Sequence, residues 1–218
     1  MSQDASRPAE VCRVVLIGFS CTGKSRVCSL LARQLGWEPV DTDDLIVELA
    51  GKPIERIFAE DGETHFRAVE REAVAQACAG ERRVIATGGG APVGEENRRL
   101  LFRSSLVVAL QARPETILRR LRRQLAAGAV RPLLDTPDPL ARIRSLLAER
   151  AAIYALAHLT VQTDTLPPAR VAAVIKGHLT ATAGGRPVPS PVATGEGTGW
   201  GSTASRPVTM RRVRRVCT

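Results

Sequence analysis

Apolar residues along this chain alternate between two spacings. Val14-Val15-Leu16-Ile17 is an unbroken apolar run, the pattern of a parallel strand buried on both faces. After it, Val27, Leu30, Leu31 and Leu35 fall on one face of a helix that Gly36 closes. Pro39-Val40-Asp41 predicts a short second strand, residues 43–50 a helix stopped by Gly51, and Pro53 opens another helix with Ile54, Ile57 and Phe58 on one face. A longer helix is expected over about 63–79, stopped by Gly80. Residues 84–87, 106–110 and 159–161 read as three further strands with helices between them. Such alternation predicts a five-stranded parallel sheet covered by helices on both faces, with ligands at the carboxyl ends of its strands. From about Ala181 the pattern stops, and 19 of the last 38 residues are Gly, Pro, Ser or Thr. The expected organisation is a short disordered N-terminus (1–11), one ordered domain (12–180) and a disordered basic tail (181–218).

Composition narrows the class. A chain of 218 residues with 44% apolar content can bury a full core as one domain. Its five cysteines are odd in number and show no C-x-x-C spacing. With only His65, His158 and His178 beside them, neither a zinc site nor a disulfide framework is indicated, and a reduced, cytoplasmic setting is expected. The opening MSQDASRPAE lacks a signal-peptide layout, and no apolar run approaches membrane length. The net charge of +9 is unevenly spread: the tail holds six arginines against Glu196 alone, which leaves only +4 on the first 180 residues. That mild excess suits a small anionic substrate and does not call for nucleic acid or a membrane. Lysines number three (Lys24, Lys52, Lys176), so arginine is the chain's default cation and arginine clusters carry less functional weight.

The chemistry is concentrated after the first strand. Gly18-Phe19-Ser20-Cys21-Thr22-Gly23-Lys24-Ser25 satisfies G-x-x-x-x-G-K-[ST] in the strand–loop–helix context that the motif requires, which places the domain among P-loop NTPase-type folds. Successive loop N–H groups and the helix N-terminus can cradle phosphates. Lys24 supplies a compact charge for the outer phosphates, and the Ser25 hydroxyl a ligand for Mg²⁺. Cys21, Thr22, Gly23, Lys24, Ser25 and Arg26 are therefore the candidate contacts to a nucleoside triphosphate. Asp41 and Asp43 follow the second strand at a spacing that puts both on one face if the chain is extended there. Phosphoryl transfer needs one carboxylate near the metal and another to orient or deprotonate the acceptor. The same Asp41-Thr42-Asp43-Asp44 run is also a good helix start, with a cap and dipole-favoured acids. Gly88-Gly89-Gly90 follows the third strand with no carboxylate after it, and bare backbone there lets a ligand approach.

Among the arginines, Arg119, Arg120, Arg122 and Arg123 read as a solvated helix face, with Glu115 one turn before Arg119. Arg131 differs, because it follows the flexible Ala126-Ala127-Gly128-Ala129 and precedes Pro132, as on a hinged loop. Leu140, Ile143, Leu147, Arg150 and Tyr154 are spaced as one helical stripe, which points Arg150 inward toward an anion. Arg67 lies one turn before Glu70 and on the face of Val74. For both arginines a structural ion pair and a ligand contact remain open.

GFSCTGKS, DTDDLI, IFAEDGETHFRAVE, ATGGGAP, RPLL and AERAAIY occur in the order and spacing of shikimate kinases, and the resemblance runs from about Val14 to Val174. It implies a nucleoside-monophosphate-kinase-like fold and the ATP- and Mg²⁺-dependent phosphorylation of the 3-hydroxyl of shikimate. By that resemblance Asp41 is a metal-shell acid and Asp43 the candidate base touching substrate hydroxyls. Arg67 and Arg150 grip the shikimate carboxylate, and Glu70 steadies Arg67. Gly88, Gly89 and Gly90 line the substrate pocket, and Arg131 is a lid arginine reaching the phosphates. The catalytic set is then Lys24, Asp43 and Arg131, and the protein is expected to act as a monomer on small molecules. Cys21 stands where the family commonly has glycine, Arg26 where it has threonine, and the stretch between Arg123 and Arg131 is longer than usual.

Two other readings are a kinase of another carboxylate-bearing polyol such as gluconate, and a nucleotide-gated protein whose basic tail binds nucleic acid. Arg67 and Arg150 with the DTD and GGG motifs favour shikimate. The tail's only aromatic residue is Trp200, and no recognised nucleic-acid module accompanies it. A chain lacking the tail is expected to keep its melting temperature and turnover, since Gly, Pro, Ser and Thr build no core. Loss of either on truncation would show that the tail docks on the domain.

Overall fold

The computed structural model describes residues 11–127 and 136–183. The N-terminal ten residues, Arg131 with the rest of RPLL, and almost all of the expected tail lie outside the described residues. Five strands form one parallel sheet: β1 (Arg13–Ile17), β2 (Glu38–Asp41), β3 (Arg83–Ala86), β4 (Ser105–Gln111) and β5 (Leu159–Gln162), in spatial order β2-β3-β1-β4-β5. Each expected strand is present, extended by a residue or two, and Thr87 falls just beyond β3. Pro39 lies in β2, an edge strand, where its missing N–H costs a central ladder nothing.

The helices are α1 (Lys24–Leu35), α2 (Thr42–Ala50), α3 (Ile54–Glu60), α4 (Gly62–Ala79), α5 (Glu95–Phe102), α6 (Pro114–Ala126), α7 (Pro139–Tyr154) and α8 (Pro168–Ala183). The last of these runs past the boundary expected at 180, so a truncation that spares it begins at 184. Among the described residues no helix is long and apolar enough to cross a membrane.

The unbroken apolar strands are explained by burial on both faces. Val14, Leu16, Val84, Val108 and Leu110 pack under Val27 and Leu31 of α1 and Val171 and Ile175 of α8. Their neighbours Val15, Ile17, Ile85, Val107 and Ala109 pack against Val74, Ala77, Leu101 and Tyr154 on the opposite side. A third cluster joins Phe19 of the loop after β1 to Ile117 and Leu121 of α6 and Ile143 and Leu146 of α7. A fourth, around Ile46, Ile57, Phe66 and Ala73, ties α2, α3 and α4 into one unit. The chain leaves β1 toward β2 on one side and later passes from β3 to β4 on the other. The carboxyl ends of β1 and β3 therefore border a topological switch point, where α/β sheets bind ligands.

Gly18 closes β1 with φ +136°, and a Cβ there would stand 2.2 Å from the Leu110 carbonyl oxygen. Gly36, the cap of α1, has φ +66° but open space around it. Gly18→Ala is expected to destabilise by about 2–4 kcal/mol, combining backbone strain and overpacking, and Gly36→Ala by about 1 kcal/mol from strain alone. Urea denaturation of both variants checks this. Equal losses would mean that the contact with Leu110 relaxes freely.

Candidate active site

The phosphate loop grows directly out of the buried β1. Gly18 (φ +136°), Cys21 (φ +62°) and Gly23 (φ +97°) take left-handed backbone angles. Cys21 adopts that conformation without being a glycine, at a cost in backbone strain. Thr22 is buried and its hydroxyl donates to the Phe19 carbonyl at 2.8 Å. Lys24 is 8% exposed, and its Nζ donates to the carbonyls of Gly18 (3.0 Å) and Phe19 (2.8 Å), so the ammonium is held across the loop. No acid occupies the first turn of α1, which leaves its N-terminal potential available to an anion. Arg26 is exposed on that same turn.

Asp41 does two jobs at once. Its Oδ1 accepts from the Asp43 N–H at 3.0 Å and caps α2, while Oδ2 accepts from the Ser25 hydroxyl at 2.6 Å. The chain is not extended through this pair, because Thr42 and Asp43 already belong to the helix. Of the two readings of this run, the capped helix start is the one adopted, and in place of a shared extended face the two acids divide the labour. Asp41 faces the phosphate loop, and Asp43 faces the turn after β3. A Cβ on Gly88 would lie 2.8 Å from Asp43 Oδ1. Asp44 is exposed at the rim, where partial burial and the charge of Asp41 push its carboxyl above the usual range.

A cleft of about 430 Å³ opens between these elements. Ser20, Ser25, Asp41, Asp43, Arg67, Glu70, Gly88, Gly89, Gly90 and Arg150 all line it, so most of the residues expected from sequence converge there. Ile54, Phe58 and Phe66 form an apolar wall, with the two phenyl rings 4.4 Å apart. From sequence Ile54 and Phe58 are expected only on one face of a helix, because a helix stripe has one period whether it faces core or cleft.

The two arginines differ in how their charge is met. Arg67 is bridged to Glu70 (2.8 Å) and Glu63 (3.0 Å). Burial pulls its pKa down, but the hydrogen bonds and charges of the two glutamates outweigh that and leave it above the ordinary value. Glu70 is 3% exposed, and desolvation raises its carboxyl despite the opposing pull of Arg67 and, at longer range, Arg150. Arg150 makes no ion pair among the described residues. Its guanidinium donates to the Gly89 carbonyl at 3.2 Å and lies 5.6 Å from the Phe19 ring centroid. A carbonyl and a ring face hold a cation without neutralising it. Of these two arginines, Arg150 is the one with charge left for a ligand.

A second cleft, of about 350 Å³, lies on the other side of the phosphate loop. Cys21, Thr22, Gly23, Arg120, Arg123 and Gln124 line it together with the apolar Val27, Leu166, Pro168 and Val171. Here the solvated-face reading of α6 is corrected. Arg120 donates to the Cys21 carbonyl at 3.2 Å and to both the hydroxyl and the carbonyl of Thr163, fixing the loop to the end of β5. Cys21 Sγ donates to Gln124 Oε1 at 3.3 Å. Glu115 pairs with Arg144 of α7 at 2.9 Å. Arg119, Arg122 and Arg123 are exposed, as expected.

The two clefts meet across the phosphate loop, an arrangement suited to a nucleotide on one side and a carboxylate-bearing acceptor on the other. Comparison with known proteins agrees. A model of the shikimate kinase family matches residues 20–180. The shikimate kinase of Geobacter metallireducens is 45% identical over 174 residues, covering 80% of this chain and 95% of that protein. That of Symbiobacterium thermophilum is 48% identical over 152 residues, covering 69% and 86%. Among solved structures, shikimate kinase from Acinetobacter baumannii in complex with shikimate superposes with a TM-score of 0.73 at 32% identity, covering 78% of this chain and 94% of that one. The Aquifex aeolicus enzyme gives 0.66 at 33% identity, covering 79% and 99%. With its sheet order, phosphate loop and cleft already in place, the chain belongs to the shikimate kinase family.

Proposed function

We propose that the protein transfers the γ-phosphoryl group of ATP to the 3-hydroxyl of shikimate. The observation that carries this reading is one cleft lined together by Ser20 and Ser25 of the phosphate loop, by Asp43, and by Arg150, whose charge no acid pairs with among the described residues. ATP phosphates lie against the loop amides and Lys24, and the base fits the apolar side of the second cleft. The acceptor carboxylate meets Arg150 and Arg67, and the bidentate geometry of guanidinium fixes its orientation. The apolar wall of Ile54, Phe58 and Phe66 covers the ring carbons.

The acceptor hydroxyl oxygen forms its bond to the γ-phosphorus as the bond to ADP breaks. Its proton passes to the Asp43 carboxylate and then to solvent. Lys24 stabilises the negative charge that spreads over the transferred group. Ser25 Oγ and Asp41 Oδ2 are adjacent hard oxygen donors at the cleft, a fit for Mg²⁺, which binds proteins through one or two such groups and otherwise through phosphates and water. When bound, that ion would neutralise phosphate charge. The lid role implied for Arg131 and the roles of Cys21 and Arg26 toward ATP belong to this proposal too. So do a cytoplasmic setting and a monomer that acts without nucleic acid or membrane.

Lys24→Met is expected to abolish turnover, with the fold retained. Asp43→Asn should lower kcat by roughly 10²–10⁴ while ATP still binds. Arg150→Leu should weaken shikimate binding by about 2–5 kcal/mol and leave the KM for ATP nearly unchanged. Its stability should fall by only about 1 kcal/mol, because the lost contacts are hydrogen bonds to the Gly89 carbonyl and the Tyr154 hydroxyl, one ring face and a longer-range attraction to Glu70, with no direct ion pair. Melting temperature with both KM values, measured on this variant, is the check. A destabilised Arg150→Leu protein with unaltered shikimate KM would contradict the carboxylate clamp.

A further inference from the structure

The turn Gly88-Gly89-Gly90 has no side chains, yet each of its glycines abuts a different functional group. A Cβ on Gly88 would meet Asp43 Oδ1, one on Gly89 the Ser20 backbone nitrogen at 3.3 Å, and one on Gly90 the Arg67 guanidinium at 3.2 Å. The turn is thus the surface against which the Asp43 carboxylate, the phosphate loop and Arg67 are registered. A segment without side chains is placed by its backbone hydrogen bonds alone.

Two side-chain hydroxyls from elsewhere in the chain supply such bonds. Thr42 is fully buried, and its Oγ1 accepts from the Gly88 N–H at 2.9 Å. Tyr154 is 3% exposed, and its phenol donates to the Gly89 carbonyl at 2.8 Å, beside the bond from Arg150 to the same oxygen. Each hydroxyl rides on an element that carries a site residue. Thr42 stands between Asp41 and Asp43 at the start of α2, and Tyr154 one turn beyond Arg150 on α7.

We propose that Thr42 and Tyr154 are positioning residues, which lock the Asp43 end and the Arg150 end of the acceptor site onto one glycine turn. Thr42 acts on the alignment of the acceptor hydroxyl with Asp43, and therefore on kcat. Tyr154 acts through Gly89 and Arg150 on the grip on the carboxylate, and therefore on the KM for the acid substrate. Neither touches the nucleotide cleft. The proposal rests on the function proposed above, and misplacement of reacting groups by about 1 Å can cost on the order of 10²-fold in rate.

The test is steady-state kinetics on the full-length protein with shikimate and ATP. Turnover by the unsubstituted enzyme tests the proposed function by itself, and the variants are measured against it. Thr42→Val, which strands the Gly88 N–H, should lower kcat about tenfold or more, and Thr42→Ser, which keeps the acceptor, should restore it. Tyr154→Phe should raise the shikimate KM about tenfold with the ATP KM within about twofold, and this effect should vanish in an Arg150→Leu background if Tyr154 acts through Arg150. Unchanged kinetics in Thr42→Val and Tyr154→Phe would overturn the proposal. So would a Thr42→Ser variant no better than Thr42→Val, or equal shifts in both KM values tracking a lowered melting temperature.

Discussion

Close approach of bare backbone is the constraint on which the rest of this site depends. Where β1 ends, Gly18 leaves no room for even a methyl group beside Leu110, and that contact sets the height at which the phosphate loop leaves the sheet. Beside it, Gly88 to Gly90 bring main chain against Asp43, Ser20 and Arg67. Any side chain at these positions would push apart the groups that must share one small acceptor. The parallel sheet makes this possible, because β1 and β3 are adjacent and end at the same level, with Leu16 paired to Ala86. Thr87 then extends the pairing by donating its N–H to Leu16 at 3.1 Å.

Charge is arranged around that frame with different degrees of compensation. Arg67 is neutralised by Glu63 and Glu70, of which Glu63 is exposed and Glu70 buried. Such a pair costs desolvation and returns little net stability, but it holds a guanidinium in one orientation. Arg150 is treated in the opposite way, held by a carbonyl and an aromatic face and left with its charge. Its ring partner is Phe19 of the phosphate loop, so the cation that would receive an acceptor carboxylate also packs on the segment that would hold the nucleotide. Asp41 performs a comparable double task, capping α2 with one oxygen while the other meets Ser25.

Much of this was legible in the sequence because it is written in local patterns. The phosphate loop is a contiguous motif flanked by the elements it needs, and the strand runs are buried on both faces as their composition requires. The inward stripe of α7 found Arg150 because an arginine at an apolar position is conspicuous. What escaped has longer reach. Arg120 was read as solvated because helical periodicity describes where a side chain starts, not that it crosses to Cys21 and Thr163. Thr42 and Tyr154 were missed because their partners are backbone atoms of a distant turn, and neighbouring residue types carry no trace of those. For the acidic run the sequence held two geometries, and the helix start is the one adopted: Asp41 is the cap and the chain turns helical before Asp43. The strain at Cys21 is a backbone property that its residue type would argue against.

The central claim is transfer of phosphate to a carboxylate-bearing acceptor chosen by Arg150, Arg67 and the glycine turn. Its most direct measurement is ATP-dependent turnover on shikimate, quinate and gluconate in parallel, reading ADP release and the mass of the product. Shikimate should yield a singly phosphorylated product in step with ADP, with kcat/KM well above that for the other two acids. ADP release without phosphorylated acid, or equal kcat/KM for gluconate and shikimate, would contradict it.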